Sequence, residues 1–139
     1  MKVLKFGGTS VGSVDSIRQI QHIIGQQTDD CIVVVSALGG ITDQLLKAAH
    51  LALEAGEEYM EVYQAIRCRH MDMVNTLITN PTTRQMLCLE LESILDELRS
   101  ILFGVHLVKD LSDKTEAAIV SYGERMSSRI VTAALPGAV

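Results

Sequence analysis

Val3-Leu4-Lys5-Phe6-Gly7-Gly8-Thr9-Ser10 and, one helix later, Cys31-Ile32-Val33-Val34-Val35-Ser36-Ala37-Leu38-Gly39-Gly40 decide the fold of this chain. Each is a short apolar run that stops at a pair of glycines. Val3–Phe6 reads as a first strand. Between the two runs, Val11 to about Gln27 carries Val14, Ile17, Gln21 and Ile24 on one face, the spacing of an amphipathic helix. Thr9 or Ser10 is the expected N-cap, and Asp15 lies where an anion favours a helix start. Thr28-Asp29-Asp30 reads as a turn. Cys31–Ser36 is rich in β-branched residues and apolar on both faces, a pattern of parallel strands buried on both sides. Strand, helix and strand within 36 residues make a βαβ unit, whose crossover should be right-handed.

Downstream, helical spacing dominates. A helix after Gly39-Gly40 presents Leu45, Leu46, Ala49 and Leu53, with Thr42 as N-cap, Asp43 in the first turn and Gly56 as the stop. Residues 57–78 place Tyr59, Tyr63, Ile66, Met73, Val74 and Leu77 on one stripe and break at Asn80-Pro81. Residues 83–103 answer with Leu87, Leu91, Ile94, Leu95, Leu98 and Leu102, ended by Gly104, so the two helices should form an antiparallel hairpin. Asp113-x-x-Glu116 opens a last helix through Ile119, Met126 and Ile130, which ends before Leu135-Pro136. The expectation is α/β, with two strands and five helices. A complete sheet has about five or six strands. The reading is therefore a piece of a larger α/β domain, or a domain that another chain completes.

Composition narrows the function. Of 139 residues, 47% are hydrophobic and 21% charged, enough apolar material for one core and unlike a disordered chain. The 12 Lys+Arg against 17 Asp+Glu give a net charge of −5, which argues against a nucleic-acid binder that relies on a basic face. Aromatic residues are 4% with no Trp, a poor base-stacking platform. No apolar run approaches the ~20 residues of a membrane span, and the first residues show no secretory apolar segment, so no membrane partner is expected. Cys31, Cys68 and Cys88 fit neither a disulfide framework nor zinc spacing. A reduced, cytoplasmic protein is expected, with the thiols as small buried hydrophobes. His22, His50, His70 and His106 lack metal spacing and read as surface or helix-packing residues. Met60, Met71, Met73 and Met86 read as core filler.

Both strands run into glycine loops that open helices, and ligands of parallel sheets bind beyond the carboxyl ends of the strands. Glycines let backbone N–H groups approach an anion, and a helix N-terminus adds about half a positive charge. Two such loops on adjacent strands make one cradle of polyphosphate size, with Lys5 beside it as a point charge. Glycines after a strand also serve as plain turn residues. The pairing of two loops, with Lys, Ser and Thr around them, favours anion binding. The first loop is not of Walker type: Gly7 and Gly12 have the right separation, but Ser13 stands where the Lys belongs. No dinucleotide glycine fingerprint occurs. A third feature is Ser121-Tyr122-Gly123-Glu124-Arg125-Met126-Ser127. A helical Gly costs about 1 kcal/mol against Ala, and here it would let a strand or substrate lie close. Spacing alone reads Glu124 and Arg125 as a solvated surface pair.

Taken together, Lys5-Phe6-Gly7-Gly8-Thr9-Ser10, Ser36-Ala37-x-Gly39-Gly40-x-Thr42-Asp43 and Gly123-Glu124-Arg125-x-Ser127 resemble the aspartokinases of the amino-acid kinase family, in order and spacing, over nearly the whole chain. The hairpin of residues 57–103, with Leu102-Phe103-Gly104-Val105 at its end, resembles the kinase part of bifunctional aspartokinase–homoserine dehydrogenases. The resemblance implies a three-layer α/β/α sandwich, incomplete here, with the helical hairpin inserted. Residues 1–139 would be the N-terminal portion of the catalytic domain. It implies the reaction of ATP and L-aspartate to ADP and 4-phospho-L-aspartate, the first step towards lysine, threonine and methionine. Carried over by position, Lys5, Gly7, Gly8 and Ser10 would hold the ATP phosphates, with Lys5 stabilising the transferring group. Ser36, Gly39 and Gly40 would form the second wall of the cradle. Thr42 and Glu124 would bind aspartate, Glu124 through the α-ammonium, and Arg125 and Ser127 would position that helix. Mg²⁺ is expected on phosphate and water, with no protein ligand named.

The implied chemistry is self-consistent. The nucleophile is a carboxylate of pKa about 3.9, ionised at pH 7, so no general base is required. Catalysis reduces to positioning and charge neutralisation, for which a buried Lys, backbone amides and Mg²⁺ are suited. The family's catalytic domain is longer than this chain. Its remainder would carry the adenine pocket, more of the sheet and the Arg for the substrate α-carboxylate. Regulatory ACT domains and any dehydrogenase would also lie outside, so the isolated chain is expected to be inactive. A homo-oligomer is expected, since dimers are common in the family. Two alternatives stay open: another amino-acid kinase, with glutamate, carbamate or a nucleotide as acceptor, and a non-catalytic assembly fragment that uses the 57–103 hairpin as an interface. Glu124 beside Gly123 favours an acceptor with an ammonium group.

Overall fold

A computed structural model describes residues 1–139 as β1 (Lys2–Phe6), α1 (Val14–Gly25), β2 (Cys31–Val35), α2 (Ile41–Leu51), α3 (Glu58–Leu77), α4 (Pro81–Val108) and α5 (Asp113–Ala134). β1 and β2 pair in parallel, from Lys2 opposite Cys31 to Phe6 opposite Val35, with α1 as the crossover. Side chains of a strand alternate between faces. Phe6, Val33 and Val35 pack on the core. Val3, Ile32 and Val34 take the other face and are 66%, 49% and 43% exposed. The expectation that β2 is buried on both sides is thereby corrected, because no helix of this chain covers the second face. Of a three-layer sandwich, the structure supplies the sheet and one helical side.

The helical stripes follow the sequence spacing. Tyr59, Tyr63, Ile66, Met73, Val74 and Leu77 of α3 are buried against Leu87, Leu91, Ile94, Leu95, Leu98 and Leu102 of α4 and Ile119, Met126 and Ile130 of α5. Full burial of each such side chain contributes roughly 1.5–3 kcal/mol. Asn80 ends one arm of the hairpin and starts the next: its Oδ1 accepts from the N–H of Thr82 and Thr83 at 3.0 and 3.1 Å, with Pro81 in the first turn. Ser112 Oγ caps α5 by accepting from Thr115 N–H at 3.1 Å.

Several boundaries differ from expectation. The cap of α1 is Ser13, not Thr9 or Ser10: the loop continues through turn bonds from Val11 N–H to Gly7 O and Gly12 N–H to Thr9 O, and Ser13 Oγ then accepts from Ser16 N–H. Gly40, with φ +82°, precedes α2 in place of a Thr42 cap, and Thr42 falls in the first turn. α2 stops at Leu51, before Gly56, where its bonds give way to turns. α4 runs through Gly104 to Val108 and ends at Lys109, a left-handed residue with φ 55°. A helix interior tolerates Gly at a modest cost, so Gly104 alone does not stop it. Cys68 is exposed and Cys31 and Cys88 half-buried, contrary to three buried thiols. Met86 is 67% exposed, whereas Met73 fills the core.

Candidate functional site

The two glycine loops meet at the carboxyl ends of β1 and β2. Ser36 N–H donates to Phe6 O at 3.1 Å, the last rung of the pair. Beyond it the backbones touch. A Cβ on Gly39 would lie 3.0 Å from Gly8 O and 3.4 Å from the Gly12 Cα, and one on Gly12 would lie 3.2 Å from Gly8 O. The contact requires glycine for close approach. Gly7 faces open space.

Hydrogen-bond accounting gives these loops their chemistry. The N–H groups of Gly7, Gly8, Thr9 and Ser10, and those of Ala37, Leu38, Gly39 and Gly40, donate to no acceptor of the chain. Nearly all buried backbone donors in proteins are paired. A cluster of unspent donors at two helix starts is an anion-binding arrangement.

α5 closes one side of this end of the sheet. Ser127 Oγ donates to Ser36 O at 2.6 Å. One turn earlier, a Cβ on Gly123 would lie 2.7 Å from Ala37 Cβ and 3.3 Å from Leu45 Cδ1. The helical glycine therefore admits the β2–α2 connection, and Ser127 positions the helix as expected. Glu124 lies between these two contacts and is exposed. Arg125 turns the other way: it pairs with Glu97 at 3.1 Å and stacks 4.6 Å over the Tyr122 ring, whose hydroxyl donates to Glu97 at 3.2 Å. The surface Glu124–Arg125 pair is thereby corrected. Burial pushes the Tyr122 phenol above its ordinary pKa.

Of the expected site residues, Gly39 stands against Gly8, and Ser36 lies beside the end of β1 through its bond to Phe6. Gly7, Ser10 and Gly40 lie on the same two loops, Thr42 is the second residue of α2, and Glu124 is on the helix docked at Ser36. Lys5 shares the uncovered sheet face with Val3 and Val34, and is exposed rather than buried. Neither Lys5 nor Glu124 takes part in an ion pair.

Sequence reasoning missed Arg69. From α3 its guanidinium donates Nη1–H to Gly39 O and Nη2–H to Gly12 O, the latter at 3.1 Å, so one side chain ties the two loops together. Beside it His70 is buried, and its Nδ1–H donates to Ile66 O at 2.7 Å. Burial holds the His70 ring below its ordinary pKa. The available signal was two polar residues on the α3 stripe between Ile66 and Met73, where helical spacing calls for apolar ones. No three His, Cys, Asp or Glu side chains converge on a metal site. A cavity of about 580 Å³ runs along β2 from Cys31 through Val33 to Val35, against Val131, Thr132 and Leu135 of the far end of α5.

Parallel strands ending in paired glycine loops, with unspent N–H groups at two helix starts, define an α/β protein. The amino acid kinase family model matches residues 1–138, and the chain belongs to that family. It is similar to chloroplastic aspartokinase 2 of Arabidopsis thaliana, at 32% identity over 137 residues, covering 96% of this chain and 24% of the relative. It is also similar to the bifunctional aspartokinase/homoserine dehydrogenase of Buchnera aphidicola, at 30% identity, covering 97% of this chain and 17% of the relative. Among solved structures, E. coli aspartokinase III with lysine and aspartate superimposes with a TM-score of 0.81 at 28% identity, covering 95% of this chain and 28% of that one. Its complex with aspartate and ADP gives 0.79 at 27% identity, with the same coverage. The chain thus spans about a quarter or less of the curated relatives' length.

Proposed function

We propose that this chain is the N-terminal portion of an aspartokinase catalytic domain, and that the whole protein transfers the γ-phosphoryl group of ATP to the side-chain carboxylate of L-aspartate. The observation that carries the reading is the cluster of unspent N–H groups where the two glycine loops meet. Likeness to aspartokinases over nearly the whole chain supports aspartate as the acceptor, as does a neighbour solved with aspartate and ADP.

Gly7, Gly8, Ser10, Ser36, Gly39 and Gly40 hold the phosphates by their backbone and hydroxyl groups, and Lys5 neutralises the transferring group as a flexible point charge. Thr42 and Glu124 hold aspartate, Glu124 through its free carboxylate on the α-ammonium. Mg²⁺, bound through phosphate and water oxygens, would supply further charge neutralisation. Proton abstraction is unnecessary for an ionised carboxylate, so the residues' task is alignment and charge. Three unpaired thiols accord with a reducing, cytoplasmic setting. A homo-oligomer is part of the proposal.

An acceptor panel of aspartate, glutamate and carbamate, run with the full-length protein and Mg·ATP, tests this. Acyl phosphate should form with aspartate. Turnover of another acceptor with none of aspartate would overturn the assignment.

A further inference from the structure

We infer that Arg69 is a positioning residue that aims the loop amides at the bound polyphosphate, an inference that rests on the anion-cradle reading above. Peptide geometry fixes where these amides point. The chain has no cis peptide, and in a trans peptide the carbonyl and the following N–H point in opposite directions. Arg69 draws the Gly39 carbonyl towards α3, which turns the Gly40 N–H away from α3. It draws the Gly12 carbonyl the same way, which turns the Ser13 N–H away as well. Neither N–H has an acceptor in the chain. These are the residues that start α2 and α1. One fork thus removes two carbonyl oxygens, which would repel phosphate, and presents two donors in their place.

Electrostatics agrees. A guanidinium held at two helix N-termini sits against two partial positive charges, an arrangement that is unfavourable by itself. Arg69 has no carboxylate within ion-pair distance. Three sources of positive potential converge on one small region; Asp15 and Asp43 in the first turns of α1 and α2 offset part of it, and a polyanion is the ligand that suits the remainder. Lys cannot replace this function, because an ammonium lacks the rigid fork that spans two carbonyls.

The test is titration of the ¹⁵N-labelled chain with inorganic tripolyphosphate, read at individual amides, for the wild type, Arg69→Ala and Arg69→Lys. In the wild type, Gly7, Gly8, Ser13 and Gly40 should shift. Both variants should bind at least about tenfold more weakly, the scale of a lost charge-assisted hydrogen bond. The Ser13 and Gly40 responses should be lost first, with thermal melting unchanged. Restored response in Arg69→Ala on adding guanidinium supports the role. Folded variants that bind with wild-type affinity through the same amides would overturn it while leaving the cradle intact. A wild type whose loop amides do not respond would overturn the cradle reading itself, and this inference with it. Loss of folding in both variants would also overturn it, since Arg69 would then be a structural tie.

Discussion

The two ends of the β1–β2 pair differ in kind. From the amino end of β2 runs a cavity of about 580 Å³, between the strand and the end of α5. At the carboxyl end the two loops touch at Gly8, Gly12 and Gly39, and the space beside them, about 540 Å³ along Val14 and Arg69, is a shallower, more open one. What gathers there is unspent chemistry: backbone donors without acceptors, and Lys5 and Glu124 without partners. On the proposed reading, a site for a small charged substrate is marked by donors and charge converging on a point, and not by volume. The difference also separates residues that hold the chain together from residues that the fold leaves idle.

The sharpest way to break the contrast is Lys5→Ala. Lys5 is exposed and unpaired, so folding should be unaffected. The phosphoryl-transfer rate of the full-length protein should fall at least about a hundredfold, the scale for loss of one electrostatic donor. An almost unchanged rate would reject its role.

Gly123→Ala probes the seam between α5 and the site. Its Cβ would meet Ala37 Cβ at 2.7 Å, and overpacking of this sort costs roughly 1–3 kcal/mol. Chemical denaturation should show that loss, accompanied by strain on the Ser127–Ser36 bond.

Acid probes the packing behind the loops. His70 is held below its ordinary pKa by burial, so the unfolded chain takes up a proton at higher pH than the folded one. Stability from this group is full above about pH 6.5, the unfolded value, and declines as pH falls towards the folded pKa. The denaturation midpoint should drop between pH 7.5 and 5.5, and His70→Leu should narrow that drop. A variant with an unchanged pH difference would contradict the assignment.

The smallest effect is expected at Gly104→Ala. Nothing lies within 4 Å of that Cβ, and α4 is helical there. A gain of roughly 0.5–1 kcal/mol should follow.

These two glycines show where the sequence was legible and where it was not. The apolar stripes of α3, α4 and α5 were readable because local spacing determines which side chains can share a face. The strands and the glycine loops were readable because both runs end at paired glycines, and the three motifs together carried the family. A glycine, however, does not announce its neighbours: Gly104 read as a stop and lies inside α4, whereas Gly123 read as a close approach and is one. Exposure of Ile32 and Val34 depends on what covers a sheet face, which a strand's own residues do not encode. Thr9, Ser10 and Thr42 looked like caps, yet the loops route the chain past them to Ser13 and Gly40. Arg69 was the largest omission, since its contact with Gly12 spans 57 positions of the sequence.

The most direct test of the central claim is titration of the wild-type chain with Mg·ATP, read at every backbone amide. Shifts should concentrate at Gly7, Gly8, Thr9, Ser10, Ser13, Leu38, Gly39 and Gly40, with the amides of Cys31, Thr132 and Leu135 unmoved. Shifts at the cavity residues with silent glycine loops would contradict that claim.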